Sequence, residues 1–390
     1  MNRSKLGTGR WKPGAGSWKL AIVAGLLFAL FIAVFVVNAA EKMPDFEVYW
    51  RAGARAAAAE PLYRSEDEHY QFKYLPAFAV LAIPLALVPL ATAKAVWFSL
   101  SVLLILFVLG LSVRLLPECR RPLMPLVAIT LLVMAKFYGH ELVLGQVNLL
   151  LLAIVLAAVH LATKRRDIAA GLLIALAIVI KPYALIFLPW LAAIGAFGAF
   201  ASAIVGTAAA LLLPSLLYGA DGTVQLHVAW WRTVTDSTAP NLLNPDNVSL
   251  AAMYAKWFGI SSSATALAAT TTLVLLAVAA TVVALRRRAP SANGLEAALL
   301  LTLMPLLSPQ GWDYVFLLGT PAAMYLINYD RELPPLWRIV TWLALAIVAL
   351  SLYDVMGRRA YGRFMAWSAI SVCFLVVIGA LTTLRLRRIA

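Results

Sequence analysis

A polar insert between two apolar stretches carries the residues best suited to chemistry. It opens Met43-Pro44-Asp45-Phe46-Glu47-Val48-Tyr49-Trp50 and closes Gln71-Phe72-Lys73-Tyr74-Leu75-Pro76. Asp45 and Glu47 form an acid pair flanked by lipid-soluble sequence, which places them at a membrane surface in reach of water and headgroups. Carboxylates there suit chemistry on a lipid-carried substrate. A loop acid is otherwise simply solvated, so the rest of the chain must decide.

Composition supplies the frame. Hydrophobic residues make up 63% of the chain and charged residues 13%, with a mean hydropathy of +0.87. Apolar runs long enough for a hydrocarbon core of about 30 Å recur along the whole length. In lipid every backbone polar group must be satisfied internally, so the expected fold is an all-α polytopic membrane protein. A net charge of +14 could suggest nucleic acid. The bases instead fall in short clusters between apolar runs, the positive-inside pattern, and no nucleic-acid partner is expected. Cys119 and Cys373 are far apart and give no disulfide framework.

The charge clusters predict the topology. Residues 1–19 form a basic cytoplasmic arm, and the run at about 20–39 reads as a retained signal anchor, too long for a cleavable signal. The remainder, 20–390, is read as one membrane domain. Residues 40–92 form an outer loop, because Pro76, Pro84 and Pro89 interrupt 74–90 and favour an interfacial or re-entrant path. Eleven further runs then place Arg114, Arg120, Arg121, Lys164-Arg165-Arg166, Arg286-Arg287-Arg288, Arg331, Arg338 and Arg385-Leu386-Arg387-Arg388 in the cytoplasm. The expectation is about twelve crossings, a second outer loop at 218–262, and a bacterial-type inner membrane with the chemistry facing outward. Arg358-Arg359 with Arg363 fall outside and break the rule. No P-loop, glycine-rich phosphate turn or nucleotide-sized soluble domain is apparent in the sequence.

Asp45 after the first helix, the insert ending in aromatic-x-Pro, Gly145-Gln146-Val147-Asn148, Ile180-Lys181-Pro182 and Leu307-Ser308-Pro309 with Trp312 come in a distinctive order. In that order, over about residues 40–330, the chain resembles glycosyltransferase family 87, polyprenyl-phosphate-dependent mannosyltransferases of the GT-C superfamily. The resemblance implies a GT-C-type bundle with interfacial helices in the first outer loop, an inverting reaction, and an acidic residue in that loop. A histidine often follows the family's tryptophan; this chain has Asp313-Tyr314 there, so that residue's role is not carried over.

On this reading the expected donor is a polyprenyl-phosphate sugar, and the expected acceptor a glycolipid or cell-envelope glycan. Membrane lipids surround both. A phosphate leaving group needs no proton, so only the acceptor hydroxyl needs a base, unlike glycoside hydrolysis with its two carboxyls. Asp45 is the candidate base. Glu47 turns elsewhere if the segment is helical, but stays a candidate for sugar or acceptor binding. Lys181 ends a long apolar run and either binds the donor phosphate or snorkels. Arg358 and Arg359 are further phosphate candidates, against lipid headgroups.

Gln146 and Asn148 carry amides that suit sugar hydroxyls or interhelical bonding equally. His140 could act as a base. Trp312 and Asp313 could wall a sugar site. Trp230-Trp231-Arg232 and Asn244-Pro245-Asp246-Asn247 lie in a long loop that could line the acceptor entrance. No metal is expected and no cofactor. The principal alternative is a transporter or flippase of lipid-linked sugars, which would not need Asp45.

Overall fold

A computed structural model describes residues 42–288 and 292–387, and among them the chain is helical throughout, with no strand. The basic arm and the expected first span lie outside the described residues.

The insert folds first into α1 (Pro44–Ala57). Pro44 at the first helical position, Asp45 and Glu47 in the first turn and Arg55 in the last all suit the helix dipole. Phe46, Tyr49, Ala52, Gly53 and Ala56 are buried, the spacing of one apolar helix face. A 3₁₀ segment, Ser65–Tyr70, follows and is tied back by Arg55, which grips Asp67 at 2.5 and 2.7 Å. That bond holds the Asp67 carboxyl below its ordinary range. Segment 74–90 then breaks into α2 (Pro76–Leu81) and α3 (Ile83–Ala86), six and four residues long. Neither approaches the roughly 20 residues of a crossing helix.

The bundle follows as α4 (Leu90–Arg114), α5 (Leu123–Leu144), α6 (Asn148–Thr163), α7 (Asp167–Ile180), α8 (Phe187–Ala193), α9 (Phe197–Leu212), α10 (Ser215–Asn241), α11 (Leu250–Phe258), α12 (Ser262–Ala284), α13 (Asn293–Leu307), α14 (Thr320–Asn328), α15 (Pro335–Leu350), α16 (Tyr353–Ala366) and α17 (Ala369–Leu386). Every residue of α14 is buried, and so is α13 from Gly294 to Leu306. Helices apolar all round belong at the centre of a bundle. At the periphery Ile204, Val205, Leu212, Leu273 and Val274 are exposed, an apolar exterior suited to lipid.

By length and composition α4, α5, α12 and α17 can each cross a membrane. Counting the bent pairs α9–α10 (89°) and α15–α16 (107°) as one span each raises this to six among the described residues. The chain is thus a helical membrane protein. Several of the other apolar runs expected to cross form shorter helices. α6, α7 and α13 are 14 to 16 residues long. The expected loop at 218–262 is largely helical: α10 continues through a kink at Gly219 (φ +69°), and α11 follows.

The basic clusters gather at one end of the bundle. Arg121 pairs with Asp330 at 2.7 Å and Arg120 with Glu332 at 3.1 Å, locking the turn before α5 to the end of α14. Nearby, Arg286 bonds Asn293 at 2.6 Å. Inside the bundle Glu296 and Arg385, both essentially inaccessible, pair at 2.6 Å, and Trp190 Nε1 donates to Glu296 at 2.8 Å. Breaking a buried pair strands the surviving charge. Glu296→Ala is therefore expected to cost roughly 3–5 kcal/mol, read as a lowered unfolding temperature in detergent, with a smaller loss for Glu296→Gln, which keeps a partner for Trp190.

Candidate active site

At the other end of the bundle lies a cavity of about 1010 Å³. It is enclosed by α1 and the close of the insert, the end of α5, the break after α7, α10, and the segments around 244–246 and 309–314. Six of the sequence candidates line it: Asp45, His140, Gln146, Lys181, Trp312 and Asp313. Trp230, Trp231, Asn244 and Asp246, expected at an acceptor entrance, line it too.

Helix α1 aims the acid. Asp45, Val48 and Tyr49, spaced i, i+3 and i+4, share the face that lines the cavity. Glu47 lies on another face and is engaged by Arg51 at 2.5 Å and Lys94 at 3.5 Å. The start of α1 is pinned by Met43 N, which donates to Val143 O at 3.0 Å. Opposite Asp45 stands Gln146, whose amide is held at both ends. Its Oε1 accepts from the Tyr49 hydroxyl at 3.1 Å, and its Nε2 donates to Asp45 Oδ2 at 2.6 Å and to the Tyr314 hydroxyl at 3.1 Å. Burial keeps the Tyr49 hydroxyl protonated far above its ordinary range, so it remains a donor. With Oε1 occupied by that donor, the amide must present its N–H groups to the carboxylate.

The turn bearing Gln146 requires glycine. Gly145 ends α5 at φ +71°, and a Cβ there would lie 2.7 Å from Phe46 Cβ and 2.9 Å from Met43 Cε. Gly145→Ala is expected to push α1 and Asp45 away from Gln146. A displacement of that size can cost about 10²-fold in rate, measured as kcat on protein that still elutes as a folded species. Asn148 serves the same turn rather than the cavity. It donates to Glu141 at 2.8 Å while Glu141 accepts from Leu149 N at 2.8 Å, capping α6.

Two lysines reach the cavity. Lys181 lines it in extended conformation (φ −143°) where α7 stops before Pro182. Lys73 lines it from the end of the insert, where its carbonyl accepts from Trp230 Nε1 at 3.2 Å. Burial pushes the Lys73 ammonium below the ordinary lysine range, and the Asp45 charge opposes that shift. Sequence reasoning gave Lys73 no role, although it stands within the motif that closes the insert.

His140 and Asp313 meet at the wall: Nδ1 lies 3.4 Å from Asp313 Oδ1, and the buried Lys136 lies 3.1 Å from Oδ2. Lys136, one turn before His140, was also missed; its signal was a charge inside an apolar run. Around this trio Asp313 N donates to Asp246 O at 3.1 Å, and Val248 N to Gly311 O. Lys256 fastens the same segment by donating to Pro245 O and Asn247 O at 2.8 and 2.7 Å. Burial pushes its ammonium down to about 8, while Asp246 opposes the shift. Arg358 and Arg359 do not join the site; both are exposed on α16. Among the described residues no group of His, Cys, Asp and Glu has the geometry of a metal site.

A cavity joining three carboxylates (Asp45, Asp246 and Asp313), two lysines and several aromatic side chains suits a sugar joined to an anionic leaving group. Comparison with known proteins agrees in class. The sequence model of glycosyltransferase family 87 matches residues 72–309. Over 189 residues the chain is 29% identical to an alpha-(1->3)-arabinofuranosyltransferase of Corynebacterium glutamicum, covering 46% of this chain and 44% of that protein. The chain thus matches less than half the length of that relative. No solved structure matches it. With more than half of its length matched by the family model, this membrane protein belongs to glycosyltransferase family 87.

Proposed function

We propose that the protein transfers a hexose, mannose by the family resemblance, from a polyprenyl-phosphate donor to a glycolipid or cell-envelope glycan, with inversion. The observation that carries this is the convergence of Asp45, Lys73 and Lys181 on one cavity at the end of the bundle away from the basic clusters. Positive-inside reasoning then puts the cavity on the outer face, where a lipid-linked donor is the accessible form of activated sugar. The same reading keeps the remainder of the chain as one domain of about twelve crossings, with α2 and α3 lying at the interface.

In the reaction Asp45 takes the proton of the acceptor hydroxyl as its oxygen attacks the anomeric carbon. The bond from that carbon to the phosphate oxygen breaks, and its electron pair leaves with the polyprenyl phosphate. Lys73 and Lys181 oppose the charge gained by the phosphate. Gln146 holds the carboxylate in line, and Trp312, Trp230 and Trp231 offer aromatic faces to sugar rings. His140 and Asp313 hold the wall against which a hydroxyl can be oriented.

The test is a donor panel. Proteoliposomes with a total lipid extract as acceptor receive labelled polyprenyl-phosphate mannose, polyprenyl-phosphate arabinofuranose, or nucleotide-linked mannose. Labelled product from polyprenyl-phosphate mannose alone is expected. Product from the arabinofuranose donor alone would move the sugar to that of the Corynebacterium relative. Product from the nucleotide sugar alone would sink the lipid-linked donor.

A further inference from the structure

The three arginines of α16 stand apart from the cavity chemistry. α15 and α16 meet at 107°, so α16 runs across the end of the bundle rather than along it. Its own kink at Gly357 (φ +73°) separates a first turn from the stretch carrying Arg358, Arg359 and Arg363. All three are exposed, and none pairs with an acid among the described residues. Arg359 and Arg363 are four residues apart on the helix, a like-charge spacing that destabilises an isolated helix unless an anion sits between them. One exposed acid, Asp354, stands against the three.

Apolar side chains flank the charges. Tyr353, Val355 and Trp367 are exposed, at 51, 63 and 72%. The underside of the helix is anchored instead. Tyr361 lies over the Lys136 ammonium, 4.9 Å from ring centroid to nitrogen, and Trp257 Nε1 donates to Trp367 O at 3.1 Å. A transverse helix with a fixed underside, exposed arginines and exposed aromatic neighbours has the layout of an interfacial helix. The arginines also lie at the end of the bundle opposite the basic clusters, so the pull that draws those clusters to one side does not account for them.

We infer that α16 is a docking surface for anionic phospholipid, with Arg358, Arg359 and Arg363 holding headgroup phosphates while Tyr353, Val355 and Trp367 enter the acyl boundary. Charge complementarity selects the occupant: arginine forks match phosphate oxygens, and the apolar flank requires acyl chains, which a free anion lacks. Arg358 and Arg359 thereby act on bulk lipid rather than on the donor phosphate.

The test uses the purified full chain in detergent, incubated with equal amounts of phosphatidylglycerol and phosphatidylcholine, with retained lipid counted by native mass spectrometry. The wild type should retain phosphatidylglycerol preferentially. Each arginine is worth about fivefold near an anionic surface, so Arg358→Gln with Arg359→Gln and Arg363→Gln together should weaken the preference by roughly ten- to a hundredfold. The triple lysine variant should keep most of it. If the triple glutamine variant fails to elute as a folded species, Arg363→Gln alone should still lose several-fold. An undiminished preference in the folded glutamine variants, or no preference in the wild type, would overturn the assignment. Displacement of the lipid by equimolar inorganic phosphate would identify a soluble anion as the occupant and overturn it equally.

Discussion

Asp45→Asn is expected to lower kcat for sugar transfer by about 10²–10⁴-fold, the usual contribution of a general base, while the protein stays folded. The asparagine keeps an oxygen that can accept from Gln146 Nε2, now at 2.6 Å from Asp45 Oδ2, so the clamp survives. Donor affinity should change far less than kcat, because the side chain acts on the acceptor proton. Glu47→Gln is the internal control. Glu47 is engaged by Arg51 and Lys94 away from the cavity, and its loss should leave kcat within a few-fold. Equal losses in the two variants would move the base off Asp45.

The second large effect belongs to the lysines. Charge grows on the departing phosphate, so a cation placed there acts mainly in the transition state. Lys181→Met should cost about 10²–10³-fold in kcat, the scale for removing one such stabilising group. Lys73→Met should behave similarly and adds a pH signature. Burial lowers the Lys73 pKa, so its charge is lost on the alkaline side before an ordinary lysine would lose it. Transfer should therefore fall with rising pH earlier than a normal lysine predicts, and Lys73→Arg should remove that limb. A pH profile unchanged in Lys73→Arg would show that Lys73 does not face the phosphate.

Much of this site was legible from the order of short motifs. Asp45, Gln146, Lys181 and Trp312 come from four segments far apart in sequence, and all line one cavity. The turn of a helix also sorted the acid pair. Residues two apart are about 200° apart on a helix, so if Asp45 faces the cavity Glu47 cannot. Lys73 was hidden because a lysine in a polar loop has no distinguishing pattern until burial is known. Lys136 was visible as a charge in an apolar run, yet its partner Asp313 lies 177 residues on, by the numbering of the pair. For Asn148 the sequence left sugar binding and bonding within the bundle equally open; its amide faces Glu141, because the end of α5 and the start of α6 share one capped turn. The crossing count is hard to read for a related reason. Apolar periodicity marks helices, but it does not separate a full span from a 14- to 16-residue helix packed inside the bundle such as α6, α7 or α13.

The most direct test of a lone base acting in a single displacement is the anomeric configuration of the product. Sugar transferred by the wild-type protein from a polyprenyl-phosphate donor of known anomer would be released intact and assigned by one-bond carbon–proton coupling. Attack by an acceptor oxygen deprotonated at Asp45 predicts the configuration opposite to that of the donor. Retention would require a covalent glycosyl-enzyme and a second displacement, and would contradict Asp45 as a base acting on the acceptor.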